Sequence, residues 1–410
     1  MNKVKLSSIT EVYTGFPFKG QRYSDHGIRT VRGENVTEGK LRWDTTKCWN
    51  ESFEDSENYL LYEDDVVIGM DGSKVGKNKA RIRSNDLPLL LAQRVACIRA
   101  KKGNDQVFIY YLVNNPLFEK YVFLTQTGSS VPHISKKQIE DYLVPSFDLP
   151  SQQKIAAVLS ALDDKIDLNN QLNDNLEQMA KTIYDYWFVQ FEFPNADGKP
   201  YKSSGGTMVY NEILKREIPE DWEVKKLGKV LKTHLGGTPS TKNEKFWNGN
   251  IPWMNSGEVA NFPLISTEQN ITEEAIKNSS TKFLKKGSVL LSITRHLRVN
   301  VLGIDACINQ SIAGIEENEL FNNSYIFFSV FNDIDRLMKL RTGAQQPHIN
   351  KEIVDESPFL IPNVNVLNEY YKVAKSNIDR IILNSNQNQE LAQLRDWLLP
   401  MLMNGQVKVE

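Results

Sequence analysis

The chain has 410 residues, 40% hydrophobic and 24% charged, with a formal net charge of −2. That length is a prior for two or three domains, and the composition excludes a disordered or low-complexity protein. The near-neutral balance excludes a uniformly basic nucleic-acid coat, so any polyanion-binding surface has to be local.

The N-terminal MNKVKLSSIT lacks the apolar core of a signal peptide, and no run reaches the ~18 apolar residues of a membrane span. Cys48, Cys97 and Cys307 are few, odd in number and far apart, which fits a reducing compartment. A soluble, cytoplasmic protein with no membrane partner is expected. Residues 1–147 are short apolar runs broken by Gly, Pro and Asn, the pattern of a loop-rich α+β domain. Within them GSKVGKNKARIR (72–83) carries Lys74, Lys77, Lys79, Arg81 and Arg83 with no acid. Each is a candidate phosphate contact, since each phosphate neutralised adds a salt-sensitive increment of affinity. VNNPLF (113–118) is similar to the N-P-P-aromatic loop of amino-methyltransferases, but Leu117 stands where the second Pro belongs. Pro116 reads better as a helix boundary. Next comes TGSSVPHIS, Thr127 to Ser135, a Gly- and Pro-containing turn. Its Ser129, Ser130 and His133 are compact hydrogen-bonding side chains, able to meet base edges.

Residues 148–193 contain no Gly, and no Pro after Pro150, and predict one long helix. Ile155, Leu159, Leu162, Ile166 and Asn169 follow a 4-3 spacing; Leu172, Leu176, Met179, Ile183 and Tyr186 resume it after a one-residue slip. So narrow an apolar stripe is a coiled-coil seam rather than a broad packing face. The Gly-, Ser-, Pro- and Lys-rich segment 194–220 reads as a surface linker.

From 221 onward the chain repeats itself, and internal repeats change the reading of a whole fold. Leu6 and Ile9 match Leu227 and Val230, Gly15 matches Gly236, Gly33-Glu34 matches Gly257-Glu258, and Gln93 matches Gln310. A second acid-free run, Ala275 to Ile304, holds Lys277, Lys282, Lys285, Lys286, Arg295, His296 and Arg298. TGAQQPHIN, Thr342 to Asn350, repeats the earlier turn at an offset of 215 and supplies Gln345, Gln346 and His348 as candidate base readers. The segment 221–362 is thus a second α+β domain, and 363–410 a second long helix. The same offset places Tyr370, Ala374, Asn377, Ile381 and Asn384 in its seam, followed by Gln387, Leu391, Leu394, Leu398 and Met401. Antiparallel pairing about a local dyad predicts Asn169 opposite Asn384, Leu162 opposite Leu391 and Ile155 opposite Leu398. A facing polar pair fixes register at some loss of stability.

Catalytic signatures do not appear: there is no GxxxxGK[ST], HExxH, GxSxG or clustered Cys/His set. His133 and His348 have no second metal ligand nearby in sequence. The expectation is a chain without catalysis, metal or cofactor of its own.

The order domain, helix, domain, helix resembles the specificity subunit of type I restriction-modification systems. The stretches that carry the likeness are IPEDWEVKKLGKV (218–230), GGTPSTKNEKFWNGNIPWMNSGEV (236–259), the paired TGxxxPHI loops, and LPSQQKIAAVLSALDDKIDLNNQLNDNLEQMAKTIYDYWFVQFEF (149–193). The resemblance implies two pseudo-symmetric target-recognition domains, each reading half of a bipartite double-stranded DNA site. It implies that the paired helices set the spacing: about 37 residues give ~55 Å at ~1.5 Å per residue, against ~34 Å per duplex turn. It also implies docking of two adenine-N6 methyltransferase subunits and recruitment of ATP-driven translocase-nuclease subunits. S-adenosylmethionine, ATP and Mg would belong to those partners. Tyr184, Tyr186, Trp187, Phe188 and Trp397 are candidates for the partner interface, or for a cap on the coiled-coil end. Two competing classes are a structural adaptor with tandem protein-binding domains, and the detached recognition half of a single-chain restriction-methylation enzyme.

Overall fold

The computed structural model describes residues 2–53, 55–128, 130–343, 345, 347–407 and 409. They divide into two compact units: Met1–Lys165 with Glu390–Glu410, and Ile166–Gln389. The architecture is α+β in both. The two long helices, Leu149–Tyr184 and Val364–Met403, begin close to the expected boundaries, and each contributes one end to either unit.

In the first unit a sheet runs in the order Thr10–Thr14, Val95–Ala100, Val66–Gly69, Lys79–Arg81, Glu38–Gly39, antiparallel except at its last pair. A second sheet, Cys48–Trp49, Ile28–Val31, Leu89–Leu91, Leu60–Leu61, has one parallel pair at its centre. The second unit repeats the first four strands of the one sheet and all four of the other. Thr233–Leu235, Ile312–Ile315, Val289–Ser292 and Arg298–Val301 form the antiparallel sheet. Gln269–Ile271, Trp247–Met254, Ala306–Ile308 and Lys282–Leu284 form the other, with the parallel pair again central. The duplication read from scattered Gly and Leu matches is a duplication of strand order.

Helix starts follow from local chemistry. VNNPLF is a helix entry: the Asn115 side chain accepts from the backbone N–H of Leu117 (2.7 Å) and Phe118 (3.2 Å), with Pro116 in the first turn, where no donor is needed. The long helices are held by their ends. Ile155 and Leu159 pack with Leu399, Leu402, Met403 and the fully buried Phe108 and Tyr111 in the first unit. In the second unit Tyr184 and Phe188 lie among Tyr325, Phe328 and Tyr370. Tyr184 and Phe188 are therefore core residues, and only Tyr186 and Trp397 of the proposed interface aromatics are well exposed. The segment 194–220 is also more than a surface crossing. Phe193 stacks on Tyr201 (4.6 Å) and Trp222 (4.9 Å), and Met208–Asn211 pairs with Arg216–Pro219 as a hairpin.

Within each unit the helix segments run antiparallel, but the register differs from expectation by one helical turn. In the second unit Asn169 donates to Asn388 (2.8 Å) rather than meeting Asn384, and Asn384 donates to Asn173 (2.9 Å). Under the 215-residue repeat these two bonds are images of each other, and so are Asn388 to Asn170 (2.8 Å) and Asn173 to Ser385 (3.2 Å). A local twofold axis thus passes through a cluster of asparagines. The seam runs through Asn173 and Ala180, leaving Leu172 and Met179 exposed, so the inferred slip does not exist. Likewise Asn388 and Arg395 take the places expected for Gln387 and Leu394, and Leu394 is exposed. Ile155, Leu159, Asn169, Ile381 and Asn384 are buried, while Leu162, Ile166, Leu176, Leu391 and Leu398 are half-buried. In the first unit Arg395 reaches Asp163 (2.7 Å), so Leu162 and Ile155 do not face Leu391 and Leu398 in the expected register. Apolar character misplaced the seam because its middle is built from polar groups that satisfy one another.

At Asp163 the repeat is broken in a coordinated way. Asp163 accepts from Arg395 (2.7 Å) and from the Tyr111 hydroxyl (2.6 Å). The equivalent positions in the second unit hold Ile378 and Ala180 and, aligning the helices at their caps Asp105 and Asn322, Phe328, all nearly fully buried. Burial and the adjacent carboxylate push the Tyr111 hydroxyl far above its ordinary pKa, so it stays a donor. Removing one member of a buried pair strands the other, at about 3 kcal/mol. Asp163→Ile should lower the thermal midpoint by roughly 6–12 °C. Adding Arg395→Ala and Tyr111→Phe, which copies the other unit, should recover at least half of that loss. Thermal unfolding followed by circular dichroism checks this; a triple variant no more stable than the single one counts against it.

Candidate nucleic-acid interface

The repeated loop is closed in the same way in both units. Thr127 and His133 exchange two backbone hydrogen bonds (2.9 and 2.8 Å), as do Thr342 and His348 (2.9 and 2.9 Å). Gly128 and Gly343 sit at φ 93° and 98°, where a side chain is disfavoured. Ile134 and Ile349 are fully buried, and Ser135 and Asn350 cap the short helices that follow. The carbonyls of Pro132 and Pro347 accept from Gly72 (3.0 Å) and Arg295 (2.8 Å). Each shared residue therefore sets backbone shape, and the differing tip carries the side chains that vary. Ser130 and Gln345 are exposed there. Ser129 and Gln346, also expected to read bases, lie outside the described residues.

Around the first loop stand Lys74 and Lys77, both exposed, with Lys74 paired to Glu38 (2.9 Å). Asp71 takes the His133 ring and the Arg94 guanidinium (2.7 Å) together. Partial burial raises the Asp71 carboxyl, but the bonds from His133 and Arg94 outweigh this, and its pKa is lowered. Around the second loop stand Arg295, His296, Arg298 and His348, all exposed. Arg341 donates to the Arg295 carbonyl (2.7 Å).

The structure takes other expected cations away from this surface. Lys79 is 1% exposed, and its ammonium donates to Glu119 (2.7 Å) and to the Gly76 carbonyl (2.9 Å). Burial, only partly offset by Glu119, lowers its pKa. Arg81 pairs with Asp64 (2.7 Å) and is mostly covered. By strand register Lys79 and Arg81 occupy the positions of Val299 and Val301, so they are sheet residues in which ion pairs replace aliphatic packing. Arg83 reaches Asp164 (3.4 Å) on the long helix. In the second unit Lys285 pairs with Asp305 (2.8 Å), and Lys282 lies on the neighbouring sheet. Lys282 and Lys285 precede the strand Val289–Ser292, whereas Arg295 to Arg298 follow it, so the acid-free run does not form one patch. Arg94, Arg341 and Asp71 were missed. Arg94 carried a signal, since it follows Gln93, which the repeat matches to Gln310.

Residues 1–178 and 219–393 match the family model described as type I restriction modification DNA specificity domain. The chain belongs to that family. It is 27% identical over 328 residues to the type I restriction enzyme MjaIX specificity subunit of Methanocaldococcus jannaschii, covering 79% of this chain and 74% of that one. To the HindI specificity subunit of Haemophilus influenzae it is 23% identical over 348 residues, covering 72% and 76%. The crystal structure of a type I restriction-modification S subunit from M. genitalium shares the fold, with TM-score 0.58, 14% identity and coverage of 98% and 96%. The two matched segments of this specificity-family chain each contain one TGxxxPHI loop. No described helix is long and apolar enough to cross a membrane. Among the described residues no group of three or more His, Cys, Asp or Glu is placed to hold a metal.

The two kinds of lysine should separate experimentally. Lys77→Glu should elute from heparin at clearly lower salt with an unchanged thermal midpoint. Lys79→Met should leave heparin retention as it was. Equal retention changes for both would contradict the burial of Lys79.

Proposed function

We propose that this chain is the sequence-reading subunit of a type I restriction-modification enzyme. Each unit reads one half of a bipartite double-stranded DNA site through the face that carries its TGxxxPHI loop. The observation that carries this reading is the duplicated loop itself: an invariant frame holding different tips, Ser-Ser-Val against Ala-Gln-Gln, beside exposed cations. Such an arrangement suits two independent base readings on one common scaffold.

The chain supplies no catalysis in this account. The paired helices set the number of base pairs between half-sites and dock two methyltransferase subunits; translocase-nuclease subunits join that assembly. S-adenosylmethionine, ATP and Mg act in the partners, and base flipping takes place in the methyltransferase pocket. The docking surface is supported by apolar side chains the helix pair leaves uncovered. Leu168, Leu172 and Met179 lie on one helix face, and the repeat equivalents of Leu168 and Met179, Leu383 and Leu394, are exposed too. The mean spacing of 3.6 residues per turn puts 168, 172 and 179 in one stripe.

Mapping N6-methyladenine in a genome whose only such system uses this chain should return one bipartite motif. Exchanging residues 1–147 for those of a relative should change one half and leave the other intact; movement of both halves would sink the modular account. Leu172→Glu with Met179→Glu should reduce co-purification of the methyltransferase subunit at least tenfold while the thermal midpoint stays within a few degrees, because both side chains are already in water.

A further inference from the structure

Seven described non-glycine residues have a positive φ, and two of them are arginines, Arg94 (φ 64°) and Arg295 (φ 56°). The left-handed region is uncommon for non-glycine residues and favours Asn, Asp and His, so an arginine there calls for a reason. Arg295 bonds directly to the TGxxxPHI loop of its unit, and Arg94 is linked to the other loop through Asp71, which also bonds His133. Arg295 donates its backbone N–H to Pro347 (2.8 Å), the bond that Gly72 (φ 104°) makes to Pro132 (3.0 Å) in the other unit. The position is thus one that the repeat fills with glycine. Arg94 offers its carbonyl to Met70 (2.9 Å), as Ser311 does to Ile293 (2.9 Å). The two units therefore place one left-handed arginine each, at different positions of the shared frame.

The Arg94 head is held but open, and Arg295 is open with its backbone held. The Arg94 side chain is 72% exposed while Asp71 holds its Nη1 at 2.7 Å. Arg295 is exposed, and Arg341 grips its carbonyl at 2.7 Å, fixing the backbone from which the guanidinium projects. A strained backbone kept in place by neighbouring bonds delivers a side chain to one direction. A solvated phosphate contact would not need that, since charge alone suffices.

We propose that Arg94 and Arg295 are the guanine-reading residues of the two units, each making the two-pronged contact to O6 and N7 in the major groove. This rests on the reading of the units as DNA-binding. The test uses the full chain assembled with its methyltransferase subunits, and duplexes of the methylation-mapped site in which each guanine in turn is replaced by 7-deazaguanine, which lacks the N7 acceptor. The wild type should lose about tenfold in affinity at one guanine in each half-site. Arg295→Gly should bind the unmodified duplex about tenfold more weakly and become indifferent to the replacement in one half only. Arg94→Gly should do the same in the other half. Both variants should melt at or above the wild-type temperature, because glycine adopts this backbone freely. Uniform weakening on all duplexes with a shallower salt dependence would make these phosphate contacts and overturn the assignment, as would unchanged binding. A wild-type complex with no preference for the mapped site would overturn the DNA reading itself, and this assignment with it.

Discussion

The asparagine cluster between the long helices is the constraint on which the rest depends. A duplicated sequence that packs against itself must be self-complementary: whatever one residue meets, its image must meet in return. Asn169 with Asn388, and Asn384 with Asn173, satisfy this with bonds of the same donor and acceptor sense (2.8 and 2.9 Å). Amides suit the position because each carries both donor and acceptor, so one residue type serves on either side of the twofold axis. An all-apolar seam of this length would tolerate a slip of one turn, since Leu packs against Leu nearly as well in the next register. Buried amides do not tolerate it, because a slip leaves them unpaired. Asn169 and Asn384 are 1% and 2% exposed, so the penalty is fully felt.

Away from that axis the halves diverge, and the divergence follows one rule. The first unit repeatedly holds ion pairs where the second holds aliphatic contacts. Asp163 and Arg395 stand for Ile378 and Ala180, and Lys79 and Arg81 for Val299 and Val301. Such exchanges are close to neutral when whole sets change together and costly when one member changes alone. They also make the helix ends of the two halves poor substitutes for each other. Asp163 opposite Ala180, or Arg395 opposite Ile378, would bury a charge without a partner.

This rule explains what was legible in the sequence and what was not. Periodicity and the 215-residue offset revealed the domains, the helices and the repeated loop, because burial on one face of a helix and glycine at a left-handed turn leave local marks. The register was missed by one turn because a dyad at the helix midpoint pairs Asn169 with Asn384, whereas the amides pair it with Asn388. The seam was misread by one residue because Leu172 and Leu394 look like seam residues, while Asn173 and Arg395 are the ones that face inward. Their suitability depends on partners more than 200 positions away, which no local pattern records. Lys79 and Arg81 read as a cationic run because Glu119 and Asp64, which neutralise them, lie outside that run. The packed segment around Phe193 and Trp222 was hidden by its Gly- and Ser-rich surroundings.

The loop shows how such a scaffold separates stability from variation. Its frame is made by main-chain bonds between Thr and His, a buried Ile and a helix cap, none of which depends on the tip residues. Side chains at the tip and on the neighbouring turns can change with little effect on folding, since most surface substitutions shift stability only by about 0.5 kcal/mol. The exceptions are informative. Arg94 and Arg295 depart from the easy backbone choice, although the shared frame admits Ser311 and Gly72 at the corresponding places. A frame that accepts an unstrained residue in one copy and carries a strained arginine in the other points to a demand made by something the side chain meets, not by the fold.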